Sequence, residues 1–203
     1  MYIPKHFKIT DVNEVWDFIQ KNAFGTIVTT AQGKPIATHL PLGLNKKSDD
    51  YYITGHMAYA NPQWKTFEVE EENVLAMFQG PHAYISSSWY KHEDVPTWNY
   101  QSVHVYGTAS LMRAQELEED LRSLLHTYES HRKNPVLWEK LSSQTKKQIK
   151  GIVGFKVKIE EVQAAYKLSQ NRNDEDYRNI IDQLNKEEDF NSHQTAEVMK
   201  NRE

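Results

Sequence analysis

Four polar clusters interrupt the apolar segments of this 203-residue chain, and the chemistry of the protein is predicted to lie in them. They occupy residues 37–42, 54–62, 86–100 and 167–172. Together they supply hydroxyl, amide, imidazole and cationic side chains, with which proteins bind phosphates and the polar edges of ring systems. The sequence therefore predicts a ligand that contains a phosphate and a ring system with polar edges.

The clusters match the chemistry of a flavin mononucleotide, which combines a phosphate, a polyol and a flat ring with amide-like edges. The phosphate carries a charge of roughly −2 and favours Arg, Lys, hydroxyls and N–H groups at a helix N-terminus. Asn61-Pro62 is a predicted helix start of that kind. Asn99 and Gln170 suit the ring edges, and Trp98 suits a ring face. Haem or another nucleotide would use several of the same groups, so the residues alone leave the ligand open.

The same clusters also have a purely structural interpretation. Considered one at a time, these residues have ordinary structural explanations. They can lie on alternating strands, edge bulges or turns, pack in the core, or face solvent at a helix end. The residues concerned are Thr38, His39, His56, the serines at 86–88, Trp98 and Arg172.

Composition argues against several other classes of site. The chain has no Cys, which excludes disulfides, thiolate nucleophiles, Cys-ligated zinc and iron–sulfur clusters. Its nine His include no HExxH motif, so no dedicated metal site is expected. The GxSxG, GxGxxG and P-loop patterns are absent, which argues against a serine hydrolase, a Rossmann domain and a P-loop NTPase.

Charge and hydropathy limit the expected partners. The net charge is −4 without a large basic block, which argues against DNA binding as the main activity. No apolar run approaches the length of a membrane span, and the first residues lack the apolar region of a signal peptide. A cytoplasmic protein without membrane association is therefore expected.

Hydrophobic periodicity predicts an α+β chain in which most strands precede the helices. Asp11 is expected to cap a first helix. Strands are expected at 26–30, 35–44, 51–56, 74–78, 83–89, 103–111 and 152–159. Further helices are expected from Asn61-Pro62, over 114–131, from Asn134-Pro135 to Gly151, and from Asn173 or Asp174 to Leu184. Short strands separated by turn residues favour an antiparallel barrel or sandwich.

Taken together and in order, the motifs resemble the PaiB family, a branch of the FMN-binding split β-barrel proteins related to pyridoxamine-phosphate oxidase. Each motif is weak alone, but the series runs from residue 1 to about 184, which makes a chance match improbable. The matching stretches are 1–4 with Phe7, 37–42, 55–64, 78–84, 88–90, 95–100, 103–107, 151–154 and 167–172.

The resemblance implies a six-stranded antiparallel split β-barrel with peripheral helices. Residues 1–185 would form one FMN-binding domain with a helical insertion at about 114–150, and 186–203 would form a polar, frayed tail. The family also implies a homodimer that binds FMN in a groove between its subunits. Its described role is that of a repressor, in negative control of transcription linked to sporulation and protease synthesis.

The resemblance also assigns residues to the flavin. The phosphate would lie against the first and second clusters, Trp98 and Asn99 would approach the ring from the other subunit, and the run 167–172 would close the site. Family members usually carry Arg where this chain has Tyr59, so flavin occupancy is a separate question from the fold. The candidate cofactor-binding residues are Thr38, His39, Leu40, Thr54, His56, Ala58, Asn61, Trp98, Asn99, Lys167, Ser169, Gln170 and Arg172.

Two functions from different classes follow. The first is an FMN-binding regulatory protein without dedicated turnover, whose association with DNA is indirect or weak. The second is a flavin-dependent oxidoreductase, either an NAD(P)H:FMN reductase or a pyridoxine-type oxidase, in which the cofactor carries the redox step. Haem binding is a lower alternative. No catalytic residue can be assigned from the sequence.

Overall fold

Antiparallel strands form the main sheet of the protein, which a computed structural model describes over residues 1–69 and 73–200. Eight strands lie within these residues: β1 Lys8–Ile9, β2 Phe24–Ala31, β3 Lys34–Pro41, β4 Gly43–Lys47, β5 Asp50–Ala58, β6 Asn73–Ile85, β7 Thr97–Leu111 and β8 Ile152–Lys167. The strand order is β3-β2-β6-β7-β8-β5-β4, and β1 pairs with β8. This is the expected α+β fold, but with eight strands rather than six and with a sheet that is not closed.

Two local features account for the additional strands. The segment expected as one strand over 35–44 is divided at Leu42, because its first part pairs with β2 and its last part pairs with β5. β3 and β4 therefore lie on either side of Leu42 as separate strands. The other addition is β1, whose two residues pair with Ala164 and Ala165 of β8.

Strand β6 joins two segments that were expected to be separate. It continues through Gly80 and Pro81, where turn residues predicted an interruption. Gly80 is required at this point because a Cβ there would lie 2.8 Å from the ring of Phe18 in helix α1, Val12–Lys21. The glycine thus marks a close approach between strand and helix rather than a turn.

The chain divides into two compact units. We call residues 1–22, 78–104 and 163–203 the terminal unit, and residues 23–77 and 105–162 the central unit. Strands β6, β7 and β8 contribute residues to both.

The central unit has an apolar core, in which the ring of Phe67 lies 4.9 Å from that of Phe155 on β8. A seven-residue 3-10 helix, Pro62–Glu68, begins where the sequence predicted a helix, with Asn61 as its N-cap. Helix α2, Ala114–Glu129, also lies where it was expected, and Leu117 is its buried residue.

The segment after α2 differs from expectation. One helix from Asn134-Pro135 to Gly151 was predicted, but the chain forms a 3-10 helix, Trp138–Lys140, then α3, Ser143–Lys146, and a second 3-10 helix, Lys147–Gly151. Leu141 and Ser142 between them are extended, and the Ser142 hydroxyl accepts a hydrogen bond from Thr145 N–H. A capping serine therefore starts a new helix where the periodicity suggested continuation.

The terminal unit contains α1, α4, Asp174–Leu184, and α5, Phe190–Lys200. Asp11 and Asn173 cap α1 and α4 as predicted, each accepting a hydrogen bond from a first-turn N–H. Helix α5 corrects the expectation of a frayed tail from residue 186, although residues 201–203 of that segment lie outside the described part. Its buried face is made of Ser192, Thr195, Ala196 and Met199. No helix in the described residues is long and apolar enough to cross a membrane.

Candidate functional site

A buried amide organises the predicted polar residues of the central unit. Gln63 is 2% exposed, and its Nε2 lies 3.2 Å from each of the Ile27 carbonyl, the Ile36 carbonyl and the Thr29 hydroxyl. These acceptors lie on β2 and β3, which pair with each other. The side chain of Gln63 thereby fixes the start of the 3-10 helix against both strands.

Two predicted ligand residues belong to the same set of hydrogen bonds. The Thr38 hydroxyl donates to Gln63 Oε1 at 2.5 Å and accepts from Asn61 Nδ2 at 2.9 Å. Asn61 Oδ1 in turn accepts from the N–H of Gln63 at 3.0 Å. We call Thr29, Thr38, Asn61 and Gln63 the glutamine network. Sequence reasoning placed Thr38 and Asn61 here but did not identify Gln63 as the residue that connects them.

Thr54 is also fully engaged in hydrogen bonds. The residue is 6% exposed. Its hydroxyl accepts a hydrogen bond from Asn45 Nδ2 at 2.7 Å and bonds to the carboxylate of Asp120. Asp120 lies on α2 and was not among the predicted site residues. Burial raises the pKa of Asp120, while the bond from Thr54 and the proximity of His56 oppose that rise.

His56 lies two residues further along β5 and is half-buried. Burial lowers the pKa of its imidazole, with an opposing contribution from the charge of Asp120. Its Nδ1 is buried without a hydrogen-bond partner among the described residues. The protein thus leaves one ring nitrogen of His56 unused, which suits a group that completes its bonding with a ligand.

The remaining predicted residues of the central unit contribute in different ways. His39 is exposed, and its Nδ1 lies 2.7 Å from the hydroxyl of Thr26. Leu40 is 5% exposed and belongs to the core, so its side chain has no polar role. Ala58 ends β5, and its carbonyl accepts from the N–H of Asn61 at 2.9 Å, which closes the turn 58–61.

In the terminal unit, the run 167–172 forms a turn that is stabilised largely by its own side chains. Gln170 Oε1 accepts from Leu168 N–H at 2.7 Å, and its Nε2 donates to the Tyr166 carbonyl at 2.6 Å and the His6 carbonyl at 3.2 Å. Ser169 has a φ of 58°, in the left-handed region that non-glycine residues rarely adopt. We call this run the 167–172 turn.

A reciprocal pair of hydrogen bonds fixes the centre of the turn. Asn99 Nδ2 donates to the Ser169 hydroxyl at 2.9 Å, and that hydroxyl donates to Asn99 Oδ1 at 3.1 Å. Asn99 is fully buried and Ser169 is 2% exposed. The amide of Asn99 also lies 3.5 Å from the sulfur of Met199 in α5.

Two cations belong to the same turn. Lys167 Nζ donates to the Thr97 hydroxyl and lies 5.9 Å from the centre of the Phe7 ring. Arg172 pairs with Asp94, and its guanidinium carbon lies 4.1 Å from the centre of the Tyr90 ring. The hydrogen bond from Arg172 lowers the pKa of the Asp94 carboxyl. Each cation retains further N–H groups for an anionic ligand.

Trp98 is exposed rather than part of the core. Its side chain is 49% exposed, its Nε1–H donates to His82 Nδ1 at 3.3 Å, and its ring lies 6.0 Å from that of Tyr84. Tyr84 is also half exposed. The terminal unit therefore presents ordered aromatic rings to solvent.

Each unit contains groups whose chemistry suits a flavin. The terminal unit supplies two cations and exposed aromatic rings, and the central unit supplies an exposed imidazole and the unused nitrogen of His56. The buried amides and hydroxyls, in contrast, are already bonded within the protein. They position the surrounding backbone, and only a minority of the predicted residues have polar atoms left for a ligand.

Known proteins relate this chain to flavin-binding proteins. A family model described as "Putative FMN-binding domain" matches residues 1–161. The Bacillus subtilis protein named "Protease synthase and sporulation protein PAI 2" is 64% identical over 203 residues, covering 100% of this chain and 98% of the relative.

Solved structures show the same fold. The FAD and heme binding protein from Mycobacterium smegmatis has a TM-score of 0.62 at 14% identity, covering 84% of this chain and 78% of its own. The flavocytochrome Anf3 from Azotobacter vinelandii has a TM-score of 0.62 at 19% identity, covering 87% and 78%. With the whole-chain identity to PAI 2 and the family match, these findings show that the chain belongs to the PaiB family of FMN-binding split-barrel proteins.

Proposed function

We propose that this protein is a cytoplasmic, homodimeric FMN-binding regulator of the PaiB type, with a negative role in transcription that affects sporulation and protease synthesis. The observation that carries the proposal is the 64% identity to PAI 2 along the whole chain. A regulator needs a ligand site and a stable scaffold rather than catalytic groups. The extensive internal bonding of the predicted residues is consistent with such a scaffold.

The residues that would hold the flavin fall into two kinds. His39, His56, Lys167, Arg172 and Trp98 have atoms or surfaces that the protein leaves available, so they would contact the phosphate and ring directly. The others would position the backbone around the ligand; these are Thr38, Leu40, Thr54, Ala58, Asn61, Asn99, Ser169 and Gln170. When bound, the flavin would supply a ring that takes up and releases electrons, which makes redox state a candidate signal.

Direct regulation through DNA is not favoured by the charge of the chain. A net charge of −4 without a basic recognition helix gives little phosphate neutralisation. Any direct DNA affinity should be weak at low salt and lost at physiological salt. Sequence-specific binding that persists at physiological ionic strength would contradict this part of the proposal and would point to direct repression.

Titration of the purified protein with FMN tests the central claim. Flavin fluorescence quenching or calorimetry should give saturable binding in the micromolar range or tighter, and light scattering should give the mass of a dimer. His39→Ala and Arg172→Gln should each weaken binding about tenfold, since each removes a hydrogen bond to a charged group. Asn171→Ala, an exposed position in the same turn, is the control. Absence of FMN binding at tens of micromolar would overturn the proposal.

A substitution at Tyr59 tests the proposal through an expected increase in FMN affinity. Its ring is 61% exposed and lies 5.4 Å from that of Trp64, so a longer polar side chain can be accommodated there. If an arginine at this position in the family neutralises the phosphate, Tyr59→Arg should tighten FMN binding, and Tyr59→Gln should not. Equal affinities in the two variants would mean that this position does not face the phosphate.

The alternative is a flavin-dependent oxidoreductase, since flavin proteins are among the proteins of the same fold. It predicts that bound FMN is reduced by NADPH, or by a pyridoxal precursor, faster than free FMN under the same conditions. A flavin that stays oxidised with each donor supports the regulatory proposal. The haem alternative requires a Soret shift on titration that is lost in His39→Ala or His56→Ala.

A further inference from the structure

A cleft of about 420 Å³ opens on the surface of the terminal unit. One side is formed by the aromatic residues His82, Tyr84, Trp89 and Trp98, and another by residues from the connection between α4 and α5. Its volume lies in the range of roughly 300–1,000 Å³ that is usual for small-molecule sites. Apart from Trp98, none of its residues belongs to the predicted flavin site.

The aromatic side is ordered by specific contacts. The Trp98 indole N–H is a donor only, so its bond to His82 Nδ1 at 3.3 Å requires a lone pair on that nitrogen. The ring of His82 lies 5.9 Å from that of Trp98 with an angle of 33°, and Tyr84 meets Trp98 edge-on at 6.0 Å. The ring faces are thus held in place before any ligand arrives.

The part of the lining that comes from the α4–α5 connection carries negative charge. Glu187 and Asp189 line the cleft, and no Lys or Arg is among its lining residues within the described chain. The two carboxylates differ in their bonding. Asp189 accepts from the N–H of Ser192 in the first turn of α5 at 2.9 Å, so its charge is partly offset by that helix end. The Glu187 carboxylate has no hydrogen-bond or ion-pair partner among the described residues.

Aromatic faces and an unneutralised carboxylate together define a class of ligand. The faces of Trp and Tyr attract cations through the ring quadrupole, and arrays of such rings recognise alkylated ammonium groups. An anion such as a phosphate would be repelled by Glu187. We propose that this cleft binds an organic ammonium cation, held between the aromatic rings and the carboxylate of Glu187. The proposal goes beyond flavin binding and does not depend on it.

Choline and its neutral isostere 3,3-dimethylbutan-1-ol are suitable probes, because they share a shape and differ in charge. The five tryptophan indole N–H signals of the ¹⁵N-labelled protein can be followed by NMR during titration and assigned with single Trp→Phe variants. We expect choline to shift the signals of Trp89 and Trp98 saturably. The neutral isostere should bind at least about tenfold more weakly, which corresponds to a cation–π contribution of ordinary size.

A matched pair of variants separates the site from the general charge of the segment. Glu187→Gln removes the proposed counter-charge without changing the shape of the side chain, whereas Glu188→Gln removes the same charge from an exposed neighbour that does not line the cleft. Glu187→Gln should weaken choline binding about fivefold or more, and Glu188→Gln should have less than a twofold effect. Tyr84→Leu should also weaken it.

Three results would overturn the proposal: no saturable shift with choline, equal affinity for the neutral isostere, or equal effects of the two glutamine variants. FMN titration of the same variants keeps the two hypotheses distinct. Glu187→Gln should leave FMN affinity unchanged, and choline should still bind if the protein takes up no FMN at all. Folding of each variant is checked by the dispersion of its NMR spectrum.

Discussion

The glutamine network of the central unit and the 167–172 turn of the terminal unit use glutamine amides in different ways. Gln63 reaches away from its own segment, to backbone carbonyls of β2 and β3. Gln170 bonds mainly within its own turn, to Leu168 and Tyr166, and reaches His6 at longer range. The first arrangement connects distant segments of the chain, whereas the second stiffens a single turn.

The two regions also differ in charge. The glutamine network contains only neutral groups, while the 167–172 turn carries Lys167 and Arg172, whose cations bond to Thr97 and Asp94. Neutral buried amides contribute to stability and specificity of the fold, because leaving their partners unsatisfied is costly. Partly exposed cations contribute less to stability. The comparison therefore predicts that mutations in the first region act on folding and that mutations of the turn cations act on ligand binding.

The largest effect is expected for Gln63→Leu. This change removes the donors to three acceptors on β2 and β3 and the acceptor of the Thr38 hydroxyl. We expect the free energy of unfolding to fall by about 3 kcal/mol, measured by chemical denaturation. Gln144→Leu, at an exposed position of α3, is the control and should change it by less than about 0.5 kcal/mol. A cost below about 1 kcal/mol for Gln63→Leu would mean that the network does not connect the strands energetically.

The Asn99–Ser169 pair should have the next largest effect. Asn99→Ala leaves the buried Ser169 hydroxyl without its partner and should cost about 2 kcal/mol. In the double variant with Ser169→Ala, the cost should be smaller than the sum of the two single costs by about 1 kcal/mol. Strict additivity would show that the two side chains do not stabilise each other. Asn171→Ala provides the exposed control in the same turn.

Much of the fold follows from local sequence signals. Asp11 and Asn61 were predicted as helix caps from residue type and position, Asn173 was one of two candidates, and each has that role in the structure. Such signals are local, because a cap bonds to an N–H within its own first turn. The position of α2 and the first half of β8 likewise follow from periodicity within one segment, whereas β8 continues beyond the predicted residue 159 to Lys167.

Other features depend on contacts that a single sequence does not reveal. The division at Leu42 follows from a change of pairing partner from β2 to β5, and the glycine at position 80 of β6 leaves room for the ring of Phe18. Helix α5 was missed for a different reason. Its buried residues do recur at i, i+3, i+4 and i+7, but two of them are Ser192 and Thr195, so the pattern carries little hydrophobicity.

The candidate site was predicted unevenly for the same physical reason. Residue types indicated where polar groups cluster, but not which polar atoms remain unused after the fold has formed. Thr38 and Asn99 are typical ligand-binding residues whose bonds are taken up by Gln63 and Ser169. Trp98, which suited the core by type, is half exposed. Availability of an atom is a property of the folded protein, and it cannot be deduced from composition.

Arg172→Gln tests the proposed division between folding and binding. Loss of the pair with Asp94 and of the contact with the Tyr90 ring should lower the free energy of unfolding by about 1 kcal/mol. Arg172→Lys keeps the charge but loses the planar guanidinium, so its free energy of unfolding should lie between those of the wild type and Arg172→Gln. In Arg172→Gln, the free energy of FMN binding should fall by more than the free energy of unfolding. A variant that unfolds more easily yet binds FMN as before would make Arg172 a structural residue.

The smallest effect is expected for the ion pair between Glu116 of α2 and Lys156 of β8 in the central unit, which are joined at 2.6 Å. The hydrogen bond from Lys156, followed by that from the Arg113 N–H, lowers the pKa of Glu116 from 4.5 to about 2. Because the folded protein holds this carboxylate ionised, the pair stabilises the fold above about pH 4.5, and that contribution is lost as the pH falls towards about 2. Glu116→Gln retains an acceptor for the capping N–H, so it should cost only about 0.5 kcal/mol at neutral pH.

The pH dependence makes this small effect measurable. The difference in unfolding free energy between wild type and Glu116→Gln should shrink steadily between about pH 4.5 and pH 2, because only the wild type loses the ionised pair in that range. Glu119→Gln removes the same charge from the same helix without touching Lys156, and provides the control. A Glu116→Gln difference that stayed constant over this range would show that the carboxylate charge contributes nothing. That result would extend to this ion pair the small contribution to stability that the comparison assigns to the partly exposed cations of the turn.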